Sequence, residues 1–173
     1  MGGFWERLRA ALRRGAGPSR PGVPLEPQGA GGRPPAARPP APGADQVAVL
    51  VQALAHGNPN VRAAAARKLG ELGTEGGTLA VSALVNALSD EDGAVRSAAA
   101  LSLGAFGAGA AEAVPALVEA LGDPDDDVRS SAGIALEDIG APARPALEVA
   151  LHHPDPLVRS EAALLLRHLT GKG

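Results

Sequence analysis

The sequence predicts an all-α fold, a solenoid of four stacked helix pairs, and three observations carry that prediction. A gap-free pattern of 27 residues occurs four times, at 47–73, 81–107, 114–140 and 144–170. Within each copy apolar residues recur at the 3.6-residue spacing of a helix, broken once by a short polar turn. With two Phe, one Trp and no Tyr, a core has to be assembled from Ala, Leu, Val and Ile, which suits helices that lie close together.

The arginine of a repeated Val-Arg pair aligns the copies: Arg62, Arg96, Arg129 and Arg159. Three residues later stands Ala65, Ala99, Ala132 or Ala162, and seven later Leu69, Leu103, Leu136 or Leu166. Eight residues before the arginine is Leu54, Leu88, Leu121 or Leu151, and four earlier Leu50, Leu84, Leu117 or Leu147. The turn between the two helices carries Asn58, Asp92, Asp125 or Asp155, residue types whose side-chain oxygen accepts a free N–H at a helix start. Pro59 and Pro156 follow two of these caps, at the first helical position, where the missing N–H costs nothing. Gly73, Gly107 and Gly140 end the second helix of three units, and Thr170-Gly171 ends the fourth.

Ahead of the repeats the chain changes character. Residues 15–44 hold sixteen Gly or Pro in thirty positions and predict a disordered linker. Residues 1–14 predict a short basic helix, with Phe4, Trp5, Leu8 and Leu12 on one face and arginines mostly elsewhere. Residues 1–44 carry seven Arg against Glu6 and Glu26, a charge of +5, whereas residues 45–173 carry nine Lys and Arg against seventeen Asp and Glu, a charge of −8.

The four turns with their second helices, "NPNVRAAAARKLGELG", "EDGAVRSAAALSLGAFG", "DPDDDVRSSAGIALEDIG" and "DPLVRSEAALLLRHLTG", resemble HEAT repeats of the short type found in phycobilisome-lyase-like proteins. The resemblance implies a right-handed α-solenoid over residues 45–173. It also implies a ladder in which a turn aspartate and the following arginine join neighbouring units. Asp90 and Asp123, six residues before their arginines, match that aspartate, while His56 and His153 occupy the place in units one and four. The ladder residues are then Asp90 and Asp123 with Arg62, Arg96, Arg129 and Arg159, complete only in the middle of the stack. The crowd of acids at Asp123–Asp127 is read as helix caps and charges facing the positive end of a helix dipole.

Little in the residues points to catalysis, and the chain is expected not to be an enzyme. There is no cysteine, hence no thiolate nucleophile and no thiolate metal site. HEAT-repeat di-iron hydroxylases carry their metal on His-Glu pairs, and no His-Glu dipeptide occurs among His56, His152, His153 and His168. No metal site and no cofactor are expected. Nucleic acid is excluded as a partner of the repeats by their charge, since phosphate contact requires a basic strip. A second reading, an accessory subunit of a bilin lyase-type enzyme acting on phycobiliproteins, follows from the resemblance alone.

The favoured reading is a scaffold or adaptor that binds another protein. Five residues after each arginine, on the side of the second helix opposite the core stripe, stand Arg67, Leu101, Ile134 and Leu164. Three apolar residues there predict either a binding groove on the concave face or sideways packing between units. Val49 in the first helix and Leu165 in the last replace small or polar residues of the other units, so the stack ends are expected to need cover from a partner, a second copy or the N-terminal helix. Phe4, Trp5, Leu8 and Leu12 leave two further readings open, weak contact with an anionic membrane surface or docking onto a protein. The expected location is cytoplasmic, peripheral to the inner membrane face if the helix binds lipid. Fourteen Arg against two Lys fit a GC-rich genome, with a bacterial source expected.

Overall fold

The structure, a computed structural model, describes residues 43–171. The basic helix read at 1–14, with Phe4, Trp5, Leu8 and Leu12, and nearly all of the linker lie outside the described residues. Four helix pairs follow one another: α1 (Gly43–Ala53) with α2 (Pro59–Leu72), α3 (Gly77–Ala87) with α4 (Gly93–Gly104), α5 (Val114–Ala120) with α6 (Asp126–Ile139), and α7 (Arg144–Ala150) with α8 (Pro156–Thr170). Short 3₁₀ turns at Gly73–Gly76, Gly107–Ala113 and Ala141–Ala143 connect the pairs. Among the described residues there is no strand.

Each second helix starts at the residue type chosen for it. Asn58 Oδ1 accepts the N–H of Asn60 at 2.9 Å, Asp92 that of Ala94 at 2.9 Å, Asp125 that of Asp127 at 2.8 Å and Asp155 that of Leu157 at 2.8 Å. Each bond satisfies a donor that the helix cannot, and losing one such cap typically costs about 1 kcal/mol. At the other end Gly73 and Gly140 take φ of +51° and +75°, which only glycine adopts without strain. Gly171 caps α8 with φ of −79°, so the fourth unit closes without the left-handed turn.

The helices enclose one aliphatic core. Leu69, Leu84, Leu103, Leu117, Leu121, Leu136 and Leu147 are its largest fully buried side chains besides the valines Val81, Val95, Val128 and Val158. Burying each leucine contributes about 1.5–3 kcal/mol relative to exposure. The alanines three residues after the arginines are buried in all four units, which lets each pair close up without large side chains.

Neighbouring second helices are set at two different spacings. A Cβ built on Gly70 of α2 would stand 2.7 Å from Ser102 Cβ of α4, and one on Gly104 of α4 would stand 3.0 Å from the Ala135 Cα of α6. Glycine eight residues after the arginine is therefore what brings α2, α4 and α6 together. In the third unit that position holds Glu137, whose carboxylate meets His168 of α8 at 3.1 Å. Accordingly α8 lies alongside α6 over a much shorter stretch than α4 does. Leu165 fills the space against Gly133 and is buried. The expectation that Leu165 would lie on an open end is thus corrected: a bulky side chain is needed where the helices stand further apart.

Two rungs of a charged ladder cross the unit boundaries. Arg62 donates from Nε to Asp90 Oδ2 at 2.8 Å and from Nη2 to Asp90 Oδ1 at 2.7 Å. Arg96 donates likewise to Asp123, at 2.8 and 2.9 Å. All four arginines also tie down their own turn, donating from Nη1 to the carbonyl of His56, Asp90, Asp123 or His153. Arg129 and Arg159 form no rung, so the ladder joins the first three units only. Arg129 pairs within its own helix with Asp126, because the next unit offers His153 in place of an aspartate. Beyond Arg159 there is no further helix pair among the described residues.

Candidate interaction surfaces

The histidines explain where the ladder stops. Asp90 Oδ1 and Asp123 Oδ1 each accept the N–H of the residue two further on, at 2.9 Å. His56 and His153 do the same through Nδ1, at 3.1 Å. With Nδ1 accepting, the proton of the neutral ring sits on Nε2, so the outward edge donates. His153 points that edge to Glu119 at 3.5 Å. Histidine therefore preserves the turn and cannot receive an arginine.

The carboxylates of the two rungs are tuned by these contacts. The side-chain hydrogen bond from Arg62 holds Asp90 below the ordinary carboxylate value, against the opposing effect of burial. At Asp123 burial is the largest single effect and pushes upward. The hydrogen bonds from Arg96 and the Asp125 N–H, with the charges of Arg96 and Arg129, outweigh it and leave the group lowered. Arg62 and Arg96 are raised, first of all by their aspartate partners. These are structural ion pairs.

The row read as a binding groove is not a continuous apolar stripe. Arg67 and Leu164 are exposed, Leu101 is half-buried and Ile134 is buried, only 8% exposed. The correction at Ile134 has a plain cause: α6 has a second helix on each side, α4 and α8, whereas α8 is the last helix described and leaves one flank open. Between α4 and α6 the Ser97 and Ser131 hydroxyls meet at 2.9 Å, in the seam between these helices.

Further apolar residues are exposed, most of them outside the positions singled out from the sequence. Val149 is 76% exposed and lines a cleft of about 510 Å³ between α5 and α7, together with Pro115, Val118, His152 and His153. Its equivalents ten residues before the arginine are Gln52, Asn86 and Glu119, and that contrast was the available signal. Val49, Leu151 and Leu157 are exposed as well. Among the described residues no group of three His, Cys, Asp or Glu is placed to hold a metal, and no helix is long and apolar enough to cross a membrane.

Comparison with known proteins bears on this architecture. No curated protein sequence matches the chain. In the crystal structure of one engineered protein, the chain matches with 26% identity over 71% of its own length and 62% of that chain, at a TM-score of 0.51. A second engineered protein matches at 26% identity over 72% of this chain and 37% of that one, with a TM-score of 0.48. The complex of CpcE and CpcF of phycocyanin lyase from Nostoc sp. PCC7120 matches at 24% identity over 87% of this chain and 71% of that one, with a TM-score of 0.49. The chain thus spans under two thirds of either engineered protein. The sequence profile of HEAT repeats matches residues 47–137 and 114–172, which takes in all four helix pairs, and the chain belongs to the HEAT-repeat family.

Proposed function

We propose that this chain is a non-enzymatic scaffold that holds another protein against the face formed by its second helices. The observation that supports this is Arg67, Leu101 and Leu164 on α2, α4 and α8, a cation, a half-buried leucine and an exposed leucine at one repeat position, interrupted at α6 by the buried Ile134. Exposed residues at a fixed repeat position give a long, shallow surface, which fits a polypeptide partner better than a small molecule. The corrected set omits Ile134, which serves the packing of α6.

The test uses the full chain as bait for proteins of its source organism, with Arg67→Glu and Leu164→Glu as paired variants. The scaffold reading expects one recurrent partner, lost from both variants while their helicity and melting stay at the parent values. Ile134→Asp, by contrast, should lower the melting temperature. A partner retained at full yield by the double variant would place binding on another surface.

A further inference from the structure

The end of the stack formed by α7 and α8 carries an arginine built like the ladder arginines but without a rung. Arg159 donates from Nη1 to the carbonyls of His153 and Pro154, at 2.7 and 2.8 Å. Arg62 and Arg96 anchor to their own turns with the same nitrogen, and that anchor aims Nε and Nη2 at the aspartate of the next unit. In Arg159, half-buried, the same two nitrogens find no acceptor among the described residues.

The same helix pair leaves aliphatic side chains open to solvent, alongside the exposed Ser160 and Arg167. Leu166 is half-buried, whereas Leu69, Leu103 and Leu136 at the same position are fully buried. Leu151 is 39% exposed, against 0% for its equivalent Leu121 in the unit before. Leu157 and Leu164 are also exposed on α8. Exposed leucines and an arginine fork without an acceptor, on one helix pair, are complementary to a helical segment that brings both aliphatic side chains and a carboxylate. Such a contact continues, at the end of the stack, the interface already made twice between units.

We propose that this end face docks a second protein through a helical turn whose aspartate or glutamate is gripped by Nε and Nη2 of Arg159. The occupant is a different protein and not another copy of this chain. A second copy stacked head to tail would present His56 at the rung, and with Nδ1 accepting the Asn58 N–H its outward edge donates. That arrangement sets donor against donor, so the histidine disfavours a head-to-tail copy at this rung.

The experiment places a photo-crosslinking phenylalanine derivative at Leu157 of the full-length protein in cells of its source organism and maps the adduct by mass spectrometry. The expected adduct joins Leu157 to one other protein, at a segment that contains an aspartate or glutamate. Leu151→Asp and Arg159→Ala each cut its yield by about tenfold or more. Because Arg159 also anchors its own turn, the deciding variant is a charge exchange: Arg159→Glu abolishes the adduct, and a lysine in place of the partner's mapped acid restores it. Adducts with a second copy of this chain, a mapped segment without an acid, or a yield indifferent to both Leu151→Asp and Arg159→Glu would overturn the proposal. Absence of any adduct at Leu157 would overturn it as well.

Discussion

Arg96 grips Asp123 with two parallel hydrogen bonds, at 2.8 and 2.9 Å, and joins α4 to the turn that begins α6. The pair is mostly shielded from water, and Asp123 Oδ1 accepts the Asp125 N–H as well. Removing the acid strands a guanidinium in a place built for a partner. Asp123→Ala is expected to destabilise the fold by about 3 kcal/mol, measured by urea unfolding. A cycle with Arg96→Ala should show strong coupling, whereas Arg129→Ala and Asp123→Ala should couple weakly.

Stability should also depend on pH through these carboxylates. Asp90 and Asp123 are both lowered in the folded chain, so folding favours their ionised forms. Their contribution is complete above the ordinary carboxylate value of about 4 and disappears as pH falls below it toward the depressed folded values. Melting temperatures recorded from pH 6 downward should fall steeply below that point, and Asp90→Asn should flatten the fall at the cost of a lower plateau. A parent profile no steeper than that of the Asp90→Asn, Asp123→Asn double variant would contradict the rungs.

Glycine inside a helix ordinarily weakens it, and replacement by alanine gains about 1 kcal/mol. At Gly70 and Gly104 the sign should reverse. The added methyl would come within 2.7 Å of Ser102 Cβ or 3.0 Å of the Ala135 Cα, forcing α2 from α4 or α4 from α6. Gly70→Ala and Gly104→Ala are expected to cost about 1–3 kcal/mol each in thermal unfolding.

These spacings separate what was legible in the sequence from what was not. The helices, their caps and the leucine stripe repeat in every unit, so four copies of Asn or Asp four residues before an arginine could be read directly. The cover over a given side chain is set by the distance between neighbouring units. Ile134 and Leu164 occupy one register position, yet the first is buried between two helices and the second has an open flank. Leu165 was misread for the same reason: Glu137 spaces α8 from α6, and that consequence emerges only when the units are placed side by side. Arg159 was read as a ladder member because the pattern marks its type and not what lies beyond it.

His153→Asp offers a gain-of-stability check. The new carboxylate would keep the bond to the Asp155 N–H, as Asp90 and Asp123 keep theirs, and would present an acceptor to Arg129, now paired with Asp126. The expected gain is about 1 kcal/mol in urea unfolding, and Arg129→Ala should abolish it. A loss in the His153→Asp protein would mean that the wider gap at Glu137 keeps Arg129 out of reach.

The one-way grip of the ladder makes the chain modular in a restricted sense. Each rung reaches forward from an arginine to an acid, so any two units are compatible when the first ends in that arginine and the second opens with that acid. Excising the whole second unit would bring Arg62 to Asp123 and recreate a rung of the same kind, whereas excising the third would bring Arg96 to His153 and leave none. Duplication of an interior unit lengthens the array without a new solution at the joints. A unit that opens with His56 or His153 offers no acceptor for a rung, so one turn residue decides which joints are gripped by charge and which rest on packing alone.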